Sequence, residues 1–295
     1  MQRMHDAAAG SLLGLFCGDA LGMPYETLPA SAIPERLEMR EARLGRGTYT
    51  DDTQMAIALA ESLVRCGRVN EQDLSKTIAD AFDPRRGYGP GTTTVVRLWE
   101  RGVPHDEAAL TLFGGQGSAG NGAAMRVAPV GLLFAHDPRQ CVEEARRQAR
   151  LTHAHPLGVD GAAAVAAAVA AAVRGDDHVE AARAAVETDE FARRLRDPTL
   201  HIAGVEAIES VPQALLAATA PTFEDAVTRA IRCGGDTDTV GGMAGAVAGA
   251  RFGAGAIPRR WLDALEDGEK GRTHVAGLAR RLAERAPRRD TPGRV

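Results

Sequence analysis

The chain has 295 residues, of which 44% are hydrophobic and 25% are charged, and its formal net charge at pH 7 is -4. A globular chain of this length can bury one large core or two smaller ones. The small acidic excess argues against a general nucleic-acid or membrane-surface binder, because such proteins carry a basic excess.

The cysteines and the N-terminus bear on the compartment. The four cysteines are widely spaced and form no Cys-x-x-Cys pair, which argues against a zinc site built on thiolates. The first residues lack the basic, apolar and small-residue segments of a secretory signal. The longest apolar run, residues 162–173, is shorter than the roughly 20 residues that span a bilayer. We therefore expect a cytoplasmic protein with free thiols and no membrane association.

The first predicted helix covers residues 6–21. Glycine recurs in it at every fourth position: Gly10, Gly14 and Gly18. Glycine costs about 1 kcal/mol per position inside a helix, so the repeat predicts that a neighbouring backbone approaches closely. Gly22 and Pro24 end the helix and place Glu26 on a loop.

Apolar residues at helical spacing predict helices along the rest of the chain. They cover about residues 50–67, 70–82, 92–100, 123–134, 138–150, 160–173, 202–218, 223–232, 259–266 and 273–285, and a small-residue helix is predicted at 243–250. The charged stretch 175–200 is predicted to be a peripheral helical excursion. Because strands, repeats and linkers are not indicated, we predict one all-α domain over residues 4–285, a single compact orthogonal helical bundle. A polar, disordered tail should follow at 286–295, and we expect a monomer.

Two short acidic motifs each open a predicted helix. The first is TYTDDT at residues 48–53 and the second is GGDTDT at residues 234–239. Threonine and aspartate are typical helix caps, and acids in the first turn suit the helix dipole. One cap needs only one acceptor, however, and each motif supplies two carboxylates. Glycines around the second motif would also let a ligand approach closely.

If the two motifs met, their four carboxylates would repel one another unless they were protonated or neutralised. Oxygen ligands favour Mg²⁺, Mn²⁺ or Ca²⁺ over zinc, and two such ions would balance four negative charges. Glu26 would be a fifth acid within reach. Residue spacing alone leaves both interpretations open, helix capping and metal binding.

Two glycine-rich loops, residues 86–91 and 114–122, also precede predicted helices. Their amides could face an anion at a helix N-terminus, although ordinary turns are the alternative. Neither loop matches a Walker or dinucleotide-binding motif. His153 and His155 stand two residues apart before a proline.

Taken in order, these motifs make the sequence resemble the ADP-ribosylglycohydrolase family. That family includes the dinitrogenase reductase-activating glycohydrolase and the arginine- and serine-directed ADP-ribosyl hydrolases. The matching stretches are GLFCGDALG at 14–22 with Glu26, YTDDTQM at 49–55, GYG at 87–89, GNGAAMR at 120–126, THAHP at 152–156 and GGDTDT at 234–239.

The resemblance implies an all-α bundle with a dinuclear metal site at one end, holding two Mg²⁺ or Mn²⁺ ions. The implied metal ligands are Thr50, Asp51, Asp52, Asp236, Asp238 and Thr239. The implied catalytic residues are Glu26, Asp52 and Asp236. Glu26 would lie on a mobile loop and contact the ribose or a metal, or act as acid or base. Asp19 is expected to hold that loop, with an outer-shell role at the metals as the alternative.

The same resemblance implies an ADP-ribose site. The implied diphosphate and ribose contacts are Gly87, Gly89, Gly91, Ser118, Gly120, Asn121 and Gly122. Tyr88 would stack on adenine, and His153 would line the pocket. The His-x-His-Pro form at residues 153–156 is closer to the arginine-directed members than to the serine-directed ones.

The expected function is therefore metal-dependent hydrolysis of the bond between ADP-ribose and a modified side chain, with arginine preferred. Its partner would be an ADP-ribosylated protein or a small ADP-ribose conjugate, and no nucleic acid. One alternative is a hydrolase of serine-linked, polymeric or small-molecule conjugates. Another is a non-catalytic ADP-ribose-binding or structural relative, since the family includes a lens crystallin.

Overall fold

The computed structural model describes residues 2–196 and 203–287, and within these ranges the fold is all helical. Only isolated bridges, and no strand, occur among the described residues, so the all-α prediction is confirmed. The α-helices are α1 Gln2–Gly22, α2 Asp51–Cys66, α3 Glu71–Ala81, α4 Pro90–Glu100, α5 Gly122–Met125, α6 Ala128–Leu133, α7 Pro138–Arg150, α8 Pro156–Arg174, α9 His178–Ala185, α10 Asp189–Arg196, α11 Ala207–Ala217, α12 Phe223–Ile231, α13 Thr237–Phe252, α14 Arg259–Leu262 and α15 Arg272–Arg285.

Most predicted boundaries agree with the structure to within a few residues. The helix predicted over 259–266 is too long, because α14 ends at Leu262. The helix predicted over 123–134 is wrong as one element, because α5 ends at Met125 and α6 begins at Ala128. Pro129 causes the break, since proline lacks an N–H and its ring clashes with the carbonyl four residues earlier. The charged excursion forms α9 and α10. Two parts of these predictions lie outside the described residues. One is residues 197–202, at the end of the excursion and the start of the next predicted helix. The other is residues 288–295 of the predicted tail.

Helices α1 and α13 form the centre of the fold, and they pack antiparallel through glycine. A Cβ added to Gly14 would overlap the carbonyl oxygen of Gly245, and one added to Gly18 would overlap that of Gly241. The predicted close approach of a neighbouring backbone is therefore confirmed. Because the helices run in opposite directions, the end of α1 lies beside the beginning of α13. This arrangement brings the Glu26 loop to the second acidic motif.

This close contact leads to a stability prediction. Gly14→Ala should lower the free energy of unfolding by about 1–3 kcal/mol, because the new methyl group has no space against α13. The control is Gly277→Ala in α15, where an added Cβ meets nothing within 4 Å. That variant should gain up to about 1 kcal/mol from helix propensity alone. Urea denaturation measures both, and equal effects of the two variants would contradict this packing.

The alanine-rich helix α8 is a second central element, and its residues from Gly158 to Val173 are all buried. Two segments, Gln2–Tyr25 and Pro156–Arg174, are long and apolar enough to cross a membrane by length and composition. Inside the protein, 89% and 83% of their apolar windows are buried, as core helices require. Their hydrophobicity is thus accounted for by packing in the bundle.

Candidate active site

The first acidic motif forms the start of α2. Thr50 is the cap, and its Oγ1 accepts a hydrogen bond from the backbone N–H of Asp52 at 3.3 Å. Asp51 and Asp52 occupy the first turn and are almost fully buried. The capping interpretation therefore holds for Thr50. Its hydroxyl also donates to Asp52 Oδ2 at 3.2 Å, while Asp52 Oδ1 has no hydrogen-bond partner.

Asp19 of α1 holds the start of α2 through hydrogen bonds to its first residues. Its buried carboxylate accepts hydrogen bonds from the backbone N–H of Thr50 and from both the N–H and the hydroxyl of Thr53, at 2.5–3.1 Å. Burial raises the pKa of Asp19 to about 6, although these hydrogen bonds oppose the rise. The structure thus places Asp19 against the start of α2, rather than against the Glu26 loop that we expected it to hold.

The second acidic motif forms the start of α13. Asp236 does not cap its own helix, and its Oδ2 accepts instead from Asn121 Nδ2 at 2.6 Å. Gly234 and Gly235 precede it with φ of 76° and 80°, a left-handed backbone that suits glycine. Their missing side chains let the loop after Glu26 pair with them, through a hydrogen bond from Thr27 N to Gly235 O at 2.7 Å.

The two helix starts line the same pocket, so their carboxylates lie close enough to affect one another. Burial first, and then the charge of Asp19, raises the pKa of Asp51 to about 8. Burial likewise raises the pKa of Asp238 well above its usual range, and the neighbouring carboxylates of Asp236 and Asp52 raise it further. Carboxylates from both motifs therefore share one end of the pocket, where they repel one another when charged.

The donor set fits hard divalent cations. It consists of oxygen atoms alone, and Asp52 Oδ1 is buried without a hydrogen-bond partner. Such a site favours Mg²⁺ or Mn²⁺, which would neutralise the crowded negative charge. No trio of His, Cys, Asp or Glu side chains in the described chain is already arranged to hold an ion, so the ligand set stays a prediction.

One pocket of about 620 Å³ joins the acidic helix starts to both glycine loops. The predicted site residues that line it are Glu26, Asp51, Asp52, Gly87, Gly89, Gly91, Ser118, Gly120, Asn121, Gly122, His153, Asp236, Asp238 and Thr239. Thr50 and Tyr88 are the predicted site residues that do not line it. The structure therefore brings together residues that stand more than 200 positions apart in the chain.

His153 lies under the second glycine loop. Added Cβ atoms on Gly120 and Gly122 would press on its ring, at 3.4 Å and 2.7 Å, so glycine leaves room for the imidazole. Burial, and then the positive charge of Arg126, lowers the pKa of His153 to about 3, so the ring is neutral. His155 caps α8, where its Nδ1 accepts from Leu157 N at 3.2 Å.

Tyr88, which was expected to stack on adenine, does not line the pocket, whereas Phe113 does. The Tyr88 hydroxyl donates to Gln54 Oε1 at 2.8 Å, and its ring packs on Phe82 with centroids 4.6 Å apart. Phe113 lines the pocket instead, with 64% of its surface exposed and a φ of 51°. Its place before Gly114 and Gly115 was the sequence signal for it.

A second feature missed from the sequence is the segment before α11. Asn121 N donates to Val205 O at 3.0 Å, and Asp236 N donates to Ala203 O at 2.9 Å. This segment therefore bridges the glycine loop and the second acidic motif, and it adds Val205 and Glu206 to the pocket wall. The helix predicted over 202–218 is therefore wrong at its start: residues 203–206 are not helical and form isolated bridges to Gly120 and Gly235, and α11 begins at Ala207.

Over the described residues, the fold and the pocket define a class of protein, a helical domain with an acidic centre beside a glycine-lined cleft. The chain belongs to the ADP-ribosylglycohydrolase family, whose family model matches residues 1–292. The predicted resemblance is thereby confirmed, and the protein is a hydrolase of this family. Metal dependence is a property of the family.

The chain is similar to two kinds of named relative and to a solved structure. It is 32% identical over 326 residues to the ADP-ribosylhydrolase ARH3 of Bos taurus, with 88% of this chain and 89% of the relative covered. It is 31% identical over 275 residues to the ADP-ribosyl-[dinitrogen reductase] glycohydrolase of Rhodospirillum rubrum, with coverage of 89% and 91%. A solved ADP-ribosylglycohydrolase-related protein complex matches with a TM-score of 0.83 and 32% identity, and 97% of this chain and 100% of that chain are covered.

Proposed function

We propose that this protein is a Mg²⁺- or Mn²⁺-dependent hydrolase that releases ADP-ribose from a modified arginine side chain, on a protein or a small conjugate. The observation that carries the proposal is the shared pocket, in which two buried acidic helix starts adjoin two glycine loops. Such a cleft suits a ligand with hydroxyl groups at one end and a diphosphate in the middle.

The metal end would hold two ions. Their proposed ligands are Thr50, Asp51, Asp52, Asp236, Asp238 and Thr239, whose four carboxylates would balance two divalent cations. The orphaned Asp52 Oδ1 supports this assignment, because a buried carboxylate oxygen needs a partner. When bound, the ions would supply Lewis-acid contacts to the 2″ and 3″ hydroxyls of the distal ribose and lower the pKa of a nearby water.

Glu26, with Asp52 and Asp236, would carry the proton transfers. The Glu26 carboxylate lies at the rim, 3.9 Å from Arg43, with 42% of its side chain exposed. Burial raises its pKa, which Arg43 opposes and Asp236 reinforces. A carboxylate of raised pKa can take a proton from the attacking water or give one to the leaving group as an oxocarbenium-like centre forms. Thr27, next to it, has a φ of 68°, the kind of backbone strain that often occurs at functional loops.

The glycine loops and His153 would bind the rest of the ligand. Ser118 Oγ accepts from Gly120 N at 3.1 Å and so holds the second loop in shape beside the pocket. For the adenine we propose Phe113 in place of Tyr88, because Phe113 presents an exposed ring to the pocket while Tyr88 packs on Phe82. Aromatic faces stack on bases with about 1–3 kcal/mol per contact.

Phe113→Ala is expected to raise KM about tenfold with kcat little changed, because stacking on adenine acts equally in the ground state and the transition state. The matched control is Leu110→Ala. Leu110 is also apolar and 55% exposed in the same segment, but it does not line the pocket. Steady-state kinetics on an ADP-ribosylated substrate separates the two variants. A KM for Phe113→Ala equal to that of the control would contradict the stacking role.

A panel of conjugates tests the proposed function. Arginine-, serine- and phosphate-linked ADP-ribose would each be incubated with the protein and Mg²⁺, Mn²⁺ or a chelator, and free ADP-ribose would be measured. We expect release from the arginine conjugate, with metal only. Release from the serine conjugate alone would overturn the arginine assignment. No release from any of the three conjugates with either metal would favour the non-catalytic alternative.

We also propose a cytoplasmic monomer. All four cysteines are free thiols in the structure, which suits a reducing compartment. Light scattering at micromolar concentration would test the monomer, and a dimer mass would overturn it.

A further inference from the structure

We propose that Arg86 and Glu266 are positioning residues that hold the start of α2 and the Gly87 loop in the arrangement that the pocket requires. This inference deepens the proposed function and rests on it. The observation is a bridge in which Arg86 Nη1 donates to Glu266 Oε1 at 2.6 Å and to the backbone carbonyl of Tyr49 at 2.7 Å. Tyr49 N donates to the same Glu266 oxygen at 2.9 Å.

The bridge is well shielded from solvent. The side chains of Arg86 and Glu266 are only 15% and 24% exposed, and the guanidinium lies 3.7 Å from the centre of the Tyr49 ring. The Tyr49 ring in turn meets the edge of Phe16 of α1, with centroids 5.2 Å apart. Solvent screening that weakens surface ion pairs is therefore reduced here, and stacking on the ring fixes the guanidinium plane.

The bridge joins segments that carry different parts of the site. Tyr49 immediately precedes Thr50, which caps the first acidic motif. Arg86 immediately precedes Gly87, which lines the cleft. Glu266 lies in the turn between α14 and α15, and its own N–H donates to Gly47 O at 2.9 Å. One carboxylate from the C-terminal segment thus sets the relative position of the acidic end and the first glycine loop.

Neither Arg86 nor Glu266 lines the pocket, so both would act through their neighbours. The simpler explanation is that the bridge only attaches the C-terminal segment to the body of the fold. The chain offers a control for that explanation in Glu61, near the middle of α2. Glu61 contacts Lys270, and its Oε1 accepts from His274 Nε2 at 2.8 Å, in the same C-terminal segment. Its side chain is 15% exposed.

The experiment compares Glu266→Gln with Glu61→Gln. Both variants should lower the melting temperature, because each loses a half-buried ion pair. The metal-free proteins are titrated calorimetrically with Mn²⁺ and then with ADP-ribose. Of the two glutamate variants, only Glu266→Gln should bind both about tenfold more weakly than wild type. A loss of this size is typical when a residue that supports metal ligands is changed. Arg86→Lys retains the charge but loses the planar fork, so its affinities should lie between those of wild type and Glu266→Gln.

Hydrogen exchange on the metal-free proteins provides a readout that does not depend on ligand binding. Amides in residues 47–53 and 84–89 should exchange faster in Glu266→Gln, and in Arg86→Lys, than in wild type or Glu61→Gln. Unchanged exchange there, or Mn²⁺ affinity lost equally in both glutamate variants, would overturn the positioning role. A wild-type protein that binds neither Mn²⁺ nor ADP-ribose would overturn the proposed function instead, and the exchange result would still decide the role of the bridge.

Discussion

Asp238→Asn is expected to lower kcat for release of ADP-ribose by at least about a hundredfold, because it removes a charged oxygen ligand from the centre of the site. The same variant should leave the metal-free protein as stable as wild type or more stable, by about 1 kcal/mol. The physical reason is that Asp238 is buried beside Asp236 and Asp52. Negative charge on these carboxylates destabilises the folded protein, because it is poorly solvated and the charges repel one another. Activity lost together with stability gained distinguishes a functional residue from a structural one.

The control is Asp80→Asn on the exposed face of α3, where the carboxylate pairs with Lys76 and is 64% exposed. This change should alter neither turnover nor melting temperature beyond error, because exposed ion pairs contribute little. Turnover by Asp238→Asn at the wild-type rate would remove Asp238 from the site.

The second large effect expected is a pH-dependent stabilisation by metal. The folded-state pKa values of Asp19 and Asp51 are raised to about 6 and about 8, against unfolded values of about 4. Because the folded pKa values are higher, these groups stabilise the metal-free protein fully below about pH 4, and that contribution is lost as the pH rises through 6 to 8. At pH 8 Asp19 is charged and Asp51, whose pKa is about 8, is close to half charged. Bound Mn²⁺ should displace the remaining proton and relieve the repulsion between the carboxylates.

Saturating Mn²⁺ should therefore raise the free energy of unfolding by about 2.7 kcal/mol at pH 8, the value for a ligand at a hundred times its Kd. At pH 5 the gain should nearly vanish, because protons compete for the same oxygens. Thermal melts with Mn²⁺ and with chelator at both pH values measure the difference, and other titrating groups cancel from it. An equal gain at pH 5 and pH 8 would show that the metal binds elsewhere.

The helical framework could be predicted because its signals are local. Glycine every four residues in α1 predicted a close backbone neighbour, and proline and glycine indicated most helix ends. The identity of the neighbour, α13, could not be deduced, since contacts between Gly14 and Gly245 depend on the tertiary fold. Pro129 signals the break between α5 and α6. The apolar residues on both sides of it led instead to the prediction of one continuous helix.

The predicted site residues came from motifs whose residues meet in one pocket, but their orientation was not readable. Tyr88 lies within a matching motif and yet turns toward Gln54, while Phe113 lies outside the motifs and faces the pocket. A side chain's direction depends on which elements pack around it, and sequence order does not contain that information. The bridge between Arg86 and Glu266 joins residues 180 positions apart, so local pattern could not have indicated it.

The fold and the proposed chemistry are connected through the same contacts. The antiparallel α1 and α13 pair brings the Glu26 loop beside the second acidic motif, and Asp19 of α1 holds the first. Helix α1 therefore contacts the starts of both α2 and α13, which carry the two carboxylate pairs. Its glycines cost helix propensity, but they allow the close packing on α13 that this arrangement needs.

The central claim is that the two acidic helix starts form one metal site on which ADP-ribose binding depends. Calorimetric titration of chelator-treated wild-type protein with Mn²⁺ at pH 8, followed by ADP-ribose, tests it most directly. We expect two ions to bind per chain, and ADP-ribose to bind with Mn²⁺ present and not with chelator. Absence of Mn²⁺ binding, or ADP-ribose binding of equal strength in the presence of chelator, would contradict it.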